Sequence, residues 1–378
     1  MKISLLDLAS QYQNLKDEID KAIAAVLNSG VYIMGASVSE FENSLASFLN
    51  VKHAIAVASG SDALTLSLHS LGIKKGDKII VPTFTFFATA GAVVRLQATP
   101  VFVDIDPRTY NLDLNKIESL LKNDPFIKGI IPVHLFGLPV DMQHLMELAH
   151  KYNLVVVEDA CQAINADILQ KTGVSIKAGT IGDTGCFSFF PTKNLSCFGD
   201  GGMIVTNQDL LANRLRILRV HGSNPKYYHS EVGYNSRLDA IQAAVLTVKL
   251  KYLNEWTQKR QNIAHLYSQE FSSQNLNDKV VYPELTNNHV FHQYCIQVEK
   301  RDELAAYLKD KGITTAIYYP LPLHLQECFK DLEYHKGDLP IAELISEHIL
   351  ALPIDPELNP TQIHYIVSCI RSFIEKQS

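Results

Sequence analysis

The chain has 378 residues, 47% of them hydrophobic and 20% charged, so it can bury a large core and is long enough for two domains. Its 34 basic and 40 acidic side chains give a net charge of −6, which argues against nucleic acid as a partner. No apolar run reaches the ~18 residues that a membrane helix needs. The six cysteines lack metal-like spacing and are typical of reduced cytoplasmic thiols. We therefore expect a soluble cytoplasmic enzyme that does not bind a membrane.

The first two thirds of the chain alternate short apolar runs with amphipathic helical patterns. These patterns predict strands at 53–59, 78–82, 100–105, 129–133 and 154–159, and helices at 61–72, 85–98, 114–122 and 142–153. Continuous β-branched runs separated by helices are typical of a parallel sheet that is buried on both faces. Ligands bind at the carboxyl ends of such strands, so we expect the functional residues there.

Beyond Asn235 the pattern changes. Residues 236–271 form one continuous amphipathic pattern that predicts a single long helix. A smaller α+β segment follows, with a strand predicted at 289–298 and helices at 301–312, about 339–350 and about 360–375. We therefore predict a large domain over 1–250 and a small C-terminal domain over 251–378.

Two charged residues stand out near the ends of apolar runs. Asp159 closes the run 154–159, where an isolated carboxylate is costly to desolvate; a helix cap, a salt bridge or a cationic ligand atom would each satisfy it. Lys193 lies between Phe190 and Phe198 and precedes the glycine-rich sequence GDGG. Apolar surroundings lower the pKa of an amine, and a neutral amine is what an imine-forming lysine needs.

Two further segments follow predicted strands. Residues 58–64, ASGSDAL, turn tightly into a helix whose first N–H groups can bind an anion, although Ser61 or Asp62 could serve only as the helix N-cap. Residues 81–90 are rich in aromatic side chains, most of which should pack in the core while one can stack on a planar ligand. The chain has neither the P-loop pattern nor GxGxxG, so a dinucleotide site has no support.

An imine-forming lysine, a strand-end carboxylate, an anion cradle and an aromatic face are the four groups that pyridoxal phosphate requires. Asp159 lies 34 residues before Lys193, and this order and spacing make the combination more specific than any single motif. The sequence therefore predicts a pyridoxal phosphate site with no metal ion.

Over nearly its whole length the chain resembles the DegT/DnrJ/EryC1/StrS family of pyridoxal phosphate-dependent nucleotide-sugar aminotransferases. The matching motifs include ASGSDAL, VVEDACQA, SFFPTKN with GDGG, and NSRLDAIQAA. The resemblance implies the fold-type I aminotransferase architecture, an α/β large domain with a smaller C-terminal domain. It also implies a homodimer with shared active sites.

The resemblance implies roles for individual residues at the cofactor ring. Lys193 would bind the cofactor covalently as an imine, and Asp159 would pair with the pyridine nitrogen. Gln162 would lie near the phenolic oxygen O3′, and Phe86 would stack on the ring.

It also implies a phosphate site and a substrate entrance. Gly60, Ser61 and Ser188 would bind the phosphate, and Asn235 would reach it from the other subunit. The entrance for the sugar nucleotide would be lined by Arg237, Tyr318 and His324.

The same resemblance suggests a substrate class. SFFPTKN with GDGG is similar to members that act on 3-keto sugars, so we expect amination at C3 with L-glutamate as the amino donor. Amination at C4 is one alternative, and a catalytically silent pyridoxal phosphate-binding regulator is another. A dehydratase is disfavoured because those relatives carry histidine in place of Lys193.

The chain departs from the family pattern in three places. Ile164–Asn165 and Ser196 stand where glycine is usual, and residues 168–183 are less regular than their usual counterpart. These departures concern the surroundings of the site and leave Lys193 in place.

Overall fold

The computed structural model describes residues 2–171 and 173–376. Its strands are β1 (His53–Val57), β2 (Lys78–Pro82), β3 (Thr99–Val103), β4 (Ile127–Ile130), β5 (Val155–Asp159), β6 (Asp167–Leu169), β7 (Ser175–Lys177), β8 (Thr184–Ser188), β9 (Gly202–Thr206), β10 (Tyr294–Gln297) and β11 (Ile349–Leu352).

The α-helices alternate with these strands in the first part of the chain and dominate the second. They are α1 (Leu8–Ser29), α2 (Ala36–Leu49), α3 (Gly60–Ser70), α4 (Ala88–Arg95), α5 (Ile117–Asn123), α6 (Met142–Tyr152), α7 (Asp209–Leu218), α8 (Ala240–Leu250), α9 (Leu253–Ser273), α10 (Arg301–Asp310), α11 (Pro340–His348) and α12 (Pro360–Glu375). None of the helices in the described ranges has the length and apolarity needed to cross a membrane.

The main sheet has seven strands in the order β1-β9-β8-β5-β4-β2-β3. Strands β8, β5, β4, β2 and β3 pair in parallel, whereas β9 runs antiparallel to both β1 and β8. Side chains alternate between two covered faces, as in β1, where Ile55 packs with α3 and Ala56 packs with α2. The predicted mostly parallel α/β sheet is therefore confirmed, and its parallel strands end on a common edge.

The C-terminal part of the chain has its own core. Strands β10 and β11 pair antiparallel, and α9, α10 and α12 cover them around the stacked rings of Tyr267 and Tyr294. Ile3 also lies in this core and forms a β-bridge to Ile313, so the first residues of the chain pack with its C-terminal part. The division at residue 250 stays a prediction.

The single helix predicted over 236–271 is wrong. Helix α8 ends at Leu250 and α9 begins at Leu253. At the break, the amides of Lys251 and Tyr252 bond to carbonyls three residues back, which tightens the turn. Helix α8 packs on α1 and α2, whereas α9 packs on α12, so tertiary packing redirects a chain that contains no proline or glycine at this point.

Two further predictions, one strand and one helix end, also need correction. The strand predicted at 289–298 is confined to Tyr294–Gln297, since the preceding segment is irregular. Residues 349–352, of which the first two were assigned to a helix, form β11, because their apolar side chains are buried against β10. The irregular stretch 168–183 contains most of a β6–β7 hairpin that was not predicted.

Candidate active site

A cavity of about 650 Å³ lies at the carboxyl ends of the parallel strands. Eight of the residues predicted for the site line it together: Gly60, Ser61, Phe86, Asp159, Gln162, Ser188, Lys193 and Tyr318. They come from five separate stretches of the chain. The order of the strands is what brings them to one place.

Asp159 is the last residue of β5 and is only 6% exposed. Its Oδ1 accepts a hydrogen bond from the Cys161 amide at 3.2 Å, and its Oδ2 accepts one from the Thr89 hydroxyl at 2.8 Å. It caps none of the helices and forms no ion pair within 2–171 and 173–376. Of the three partners considered from the sequence, a cationic ligand atom is the one that remains.

Lys193 presents its amine to the same cavity. The amine has neither a hydrogen-bond partner nor an ion-pair partner among the described residues. Burial lowers the pKa of Lys193, and the nearby Cys161 and Asp159 oppose this only in part. An amine whose pKa is lowered by burial and that has no internal partner is available to react with a ligand.

A second lysine with a lowered pKa lies close by but faces elsewhere. Burial lowers the pKa of Lys249, on α8, to about 8. Its ammonium donates to the Ser196 hydroxyl at 3.2 Å and lies 4.7 Å from the centre of the Phe198 ring. Lys249 does not line the cavity, so the geometry selects Lys193 as the reactive amine.

The loop that carries Lys193 is held from two sides. The Asn194 amide donates to the Val290 carbonyl at 3.2 Å, and its oxygen lies 3.1 Å from His292 Nδ1. On the other side, Gln242 of α8 bonds to both the amide and the carbonyl of Phe198. These contacts hold the segment that directly follows the lysine.

The anion cradle lies at the start of α3. The N-cap is Ser59, whose Oγ accepts from the Asp62 amide at 3.1 Å, so neither Ser61 nor Asp62 caps this helix. The amides of Gly60 and Ser61 therefore stay free of acceptors in the described chain and can bind an anion. A Cβ at Gly60 would lie 2.7 Å from that of Ser188, so only glycine allows this approach.

Gln162 and the aromatic residues form the remaining wall. Gln162 Oε1 accepts from the Phe136 amide at 2.7 Å, and its Nε2 donates to the Tyr319 hydroxyl at 3.1 Å. Phe86 is 57% exposed, and its ring centre lies 6.4 Å from that of Tyr319. The sequence does not distinguish Tyr319 from Tyr318 as a site residue, because the two tyrosines are adjacent in YYPLPLH.

Three predicted site residues lie outside this cavity. His324 is buried, and its ring nitrogens bond to Thr83 at 2.7 Å and to Glu343 at 3.1 Å, which leaves none for a substrate. Asn235 is exposed, and Arg237 is half-buried. The N-cap of α8 is Asp239, so Asn235 lies four residues before this cap.

The residues present fit pyridoxal phosphate. Lys193 offers an unpartnered amine, and Asp159 offers a buried carboxylate with both oxygens oriented by donors. The amides of Gly60 and Ser61 are free to bind an anion, and glycine at position 60 lets the start of α3 approach Ser188.

A family model matches residues 13–371, and its description is the DegT/DnrJ/EryC1/StrS aminotransferase family. The chain belongs to this family. The family prediction is therefore confirmed, as are the enzyme class of aminotransferase and the pyridoxal phosphate cofactor.

Individual relatives match along the full length. The chain is 46% identical over 375 residues to the "Pleiotropic regulatory protein" of Geobacillus stearothermophilus, covering 99% of each. It is 43% identical over 371 residues to a UDP-N-acetyl-3-dehydro-alpha-D-glucosamine 3-aminotransferase of Acidithiobacillus ferrooxidans, covering 98% of this chain and 97% of that one. The crystal structure of Streptomyces venezuelae DesV with a ketimine intermediate has a TM-score of 0.93 at 39% identity, covering 99% of each chain.

The departures from the family pattern have a structural basis. Asn165 has φ of 71°, which glycine adopts freely and asparagine tolerates. Its amide donates to Asn254 and Thr257 of α9, both at 3.0 Å, and its oxygen accepts from Lys177 at 2.9 Å. Two of these three hydrogen bonds join the segment after β5 to α9, and the third joins it to β7.

Glu158, next to Asp159, points to the opposite face of β5 and is fully buried. Its oxygens accept from the amides of Gly179, Ile181 and Gly182 at 2.6–2.8 Å and bond to His134 Nε2 at 2.9 Å. The Val140 amide donates to His134 Nδ1, so the proton of that ring is on Nε2 and is donated to Glu158.

Replacing Glu158 by glutamine should lower the free energy of unfolding by about 3 kcal/mol, because an NH₂ group would face donors in place of an acceptor. Urea unfolding of the protein measures this. The matched control is Glu347→Gln, which removes a charge from a side chain that is 61% exposed and should change stability by less than about 0.5 kcal/mol. Equal effects of the two substitutions would contradict the prediction.

Proposed function

We propose that this enzyme transfers an amino group from L-glutamate to a keto carbon, C3, of a nucleotide-linked sugar. Lys193 and Asp159 are its catalytic residues in this proposal. The observation that carries it is their convergence on one cavity that is also lined by Gly60 and Ser61 with their free amides. The amine, the carboxylate and the anion cradle would then contact three different parts of one cofactor.

When bound, pyridoxal phosphate supplies an electron sink for the carbon that loses a proton. Asp159 holds a proton at the ring nitrogen through charge complementarity, and this keeps the sink effective. Lys193 holds the cofactor in the resting enzyme and then, as a free amine, removes a proton from one carbon and returns it to another. Gln162 positions the ring at O3′, and Phe86 covers its face.

The phosphate is bound by the amides of Gly60 and Ser61 and by the hydroxyl of Ser188. Ser188 lies at the end of β8, against the start of α3. The positive end of the α3 dipole adds to the attraction for the anion. This proposal explains why glycine is needed at position 60.

The substrate class rests on relatives and on the residues near the entrance. The A. ferrooxidans relative is named as a 3-aminotransferase of a UDP-sugar, and a relative from Pseudomonas aeruginosa carries a similar name for a 3-oxo sugar. Tyr318 lines the cavity, and Arg237 has no ion pair in the described residues, which leaves its guanidinium for a diphosphate. The buried His324 positions Thr83 in this proposal and does not contact substrate.

The proposal includes a homodimer with shared active sites. Two aromatic side chains that line the cavity, Phe86 and Phe190, remain 57% and 49% exposed in one chain. Asn235 is exposed, and its side-chain amide has no hydrogen-bond partner in the described chain. A second copy that covers these rings would bring Asn235 to the phosphate of the neighbouring site.

A complementation experiment tests the shared site. Homodimers of Lys193→Ala and of Asn235→Ala should each be impaired. In a mixed dimer one site receives both defects and the other receives none, so activity should return to about a quarter of wild type in a random mixture. Refolding the two variants together and assaying turnover measures this. If mixed dimers form and activity does not rise, Asn235 acts within its own chain.

The regiochemistry is tested by turnover of a panel of 3-keto and 4-keto nucleotide sugars with L-glutamate, with the product read by NMR. We expect an amino group at C3 and formation of 2-oxoglutarate. A product aminated at C4 would favour the alternative position. The nucleotide giving the highest kcat/KM identifies the substrate.

The six free cysteines support a reducing compartment, and we place the reaction in the cytoplasm.

One relative favours a second candidate function. The G. stearothermophilus protein is named for regulation, so a pyridoxal phosphate-binding regulator on this fold is the alternative. A regulator would bind the cofactor and fail to exchange amino groups. Rapid conversion of the bound cofactor by L-glutamate in a stopped-flow spectrometer would exclude a silent protein.

A further inference from the structure

A buried hydroxyl stands behind the proposed catalytic carboxylate. Thr89, in the first turn of α4, is fully buried, and its Oγ1 donates to Asp159 Oδ2 at 2.8 Å. Thr89 does not line the cavity, so it can affect a bound molecule only through its neighbours. Its own Oγ1 lies 3.2 Å from the hydroxyl of Thr85, which does line the cavity.

The direction of this short chain of hydrogen bonds is fixed by chemistry. An ionised carboxylate only accepts hydrogen bonds, so the Thr89 proton must point to Asp159. Thr89 then has lone pairs left, and Thr85 is the donor of the bond between the two threonines. The chain therefore runs from Thr85 through Thr89 to Asp159, and each donation increases the strength of the next.

The other oxygen of Asp159 is held as well, because the Cys161 amide donates to Oδ1. Two donors on two different elements, α4 and the turn after β5, leave the plane of the carboxylate no freedom to rotate. A hydrogen bond to the charged form of a carboxylate stabilises that form. Both effects act on the group that faces the ring nitrogen in the proposed function.

We propose that Thr89 is a positioning residue that orients the carboxylate of Asp159, and so keeps the proton on the ring nitrogen of the cofactor. This inference rests on the role proposed above for Asp159. Thr85 contributes more weakly to the orientation of Asp159, through its hydrogen bond to Thr89.

The test uses the holoenzyme reconstituted with pyridoxal phosphate that carries ¹⁵N in its ring. The ¹⁵N chemical shift reports whether the nitrogen is protonated. It is measured at pH 7.5 for wild type, Thr89→Val and Thr89→Ser. Valine has the shape of threonine without the hydroxyl, and serine keeps the hydroxyl.

The control is Thr184→Val, which removes a buried hydroxyl that has no hydrogen-bond partner in the described chain. Thr184 opens β8 and lies outside the cavity. Thr89→Ala repeats the loss of the hydroxyl with a smaller side chain, in case valine does not fit.

We expect the protonated shift in wild type, Thr89→Ser and Thr184→Val, and a shift toward the neutral nitrogen in Thr89→Val and Thr89→Ala. The kcat of the valine variant should fall about 10- to 100-fold, as expected for a lost hydrogen bond to a charged group. A protonated nitrogen in both Thr89→Val and Thr89→Ala overturns this inference and leaves the proposed function in place. A neutral nitrogen in wild type overturns the role of Asp159, and the inference with it.

Discussion

Replacement of Lys193 by alanine should reduce transamination by at least about a thousandfold, because one group both holds the cofactor and moves the proton. The amine has no hydrogen bond or ion pair among the described residues, so its loss should leave the fold unchanged. Single-turnover kinetics with L-glutamate and thermal unfolding of the apoprotein measure the two effects separately.

Two lysine controls accompany this variant. Lys128→Ala removes an exposed amine and should leave kcat unchanged. Lys249→Met removes the other amine with a lowered pKa, and it should retain measurable transamination because Lys249 lies outside the cavity. Activity of Lys193→Ala within tenfold of wild type would exclude Lys193 as the catalytic base.

Replacement of Asp159 by asparagine should slow both half-reactions by about 100- to 1000-fold, the cost of removing one preorganised charge from a transition state. Asparagine keeps the shape of the side chain, and its one amide oxygen can accept from either Thr89 or Cys161 while the charge is lost. Stopped-flow measurement of each half-reaction, at saturating cofactor, separates this from weaker cofactor binding.

The matched control is Asp141→Asn, at the N-cap of α6, where an amide oxygen can still accept from the His144 amide. It should affect stability slightly and leave both half-reactions unchanged. If Asp159→Asn lost only cofactor affinity and reacted normally once saturated, its carboxylate would have a structural role.

The sequence predicts five of the seven strands of the large sheet because these strands lie in short, continuous apolar runs, whereas β8, TGCFS, is not such a run. The run 78–82 matches β2 in full, and the run 154–159 differs from β5 by one residue. Such runs can be buried on both faces only in a sheet covered by helices, so local pattern and tertiary structure agree. The loops at the strand ends then bring Asp159 and Lys193 together.

The sequence fails where tertiary contacts override local pattern. The apolar spacing across 250–253 continues through the break between α8 and α9, since both helices have buried faces and only their partners differ. Residues 349–352 continue the helical pattern of α11 and become a strand because β10 offers its edge.

Among site residues, His324 shows the limit of motif-based reasoning. Histidine in a motif near the entrance suggests a substrate contact, yet Thr83 and Glu343 occupy both ring nitrogens. The placement of Thr89 behind Asp159 could not be read from spacing either. The two residues are 70 positions apart, and only the packing of α4 on the end of β5 joins them.

Peptide mapping of the holoenzyme identifies the lysine that binds the cofactor. Sodium borohydride makes the bond between a lysine and pyridoxal phosphate permanent, and mass spectrometry of the digested holoenzyme then locates the modified peptide. Our account predicts one stoichiometric modification, at Lys193 and absent from Lys193→Ala. Modification at Lys249, or at no lysine in an enzyme that still transaminates, would contradict it.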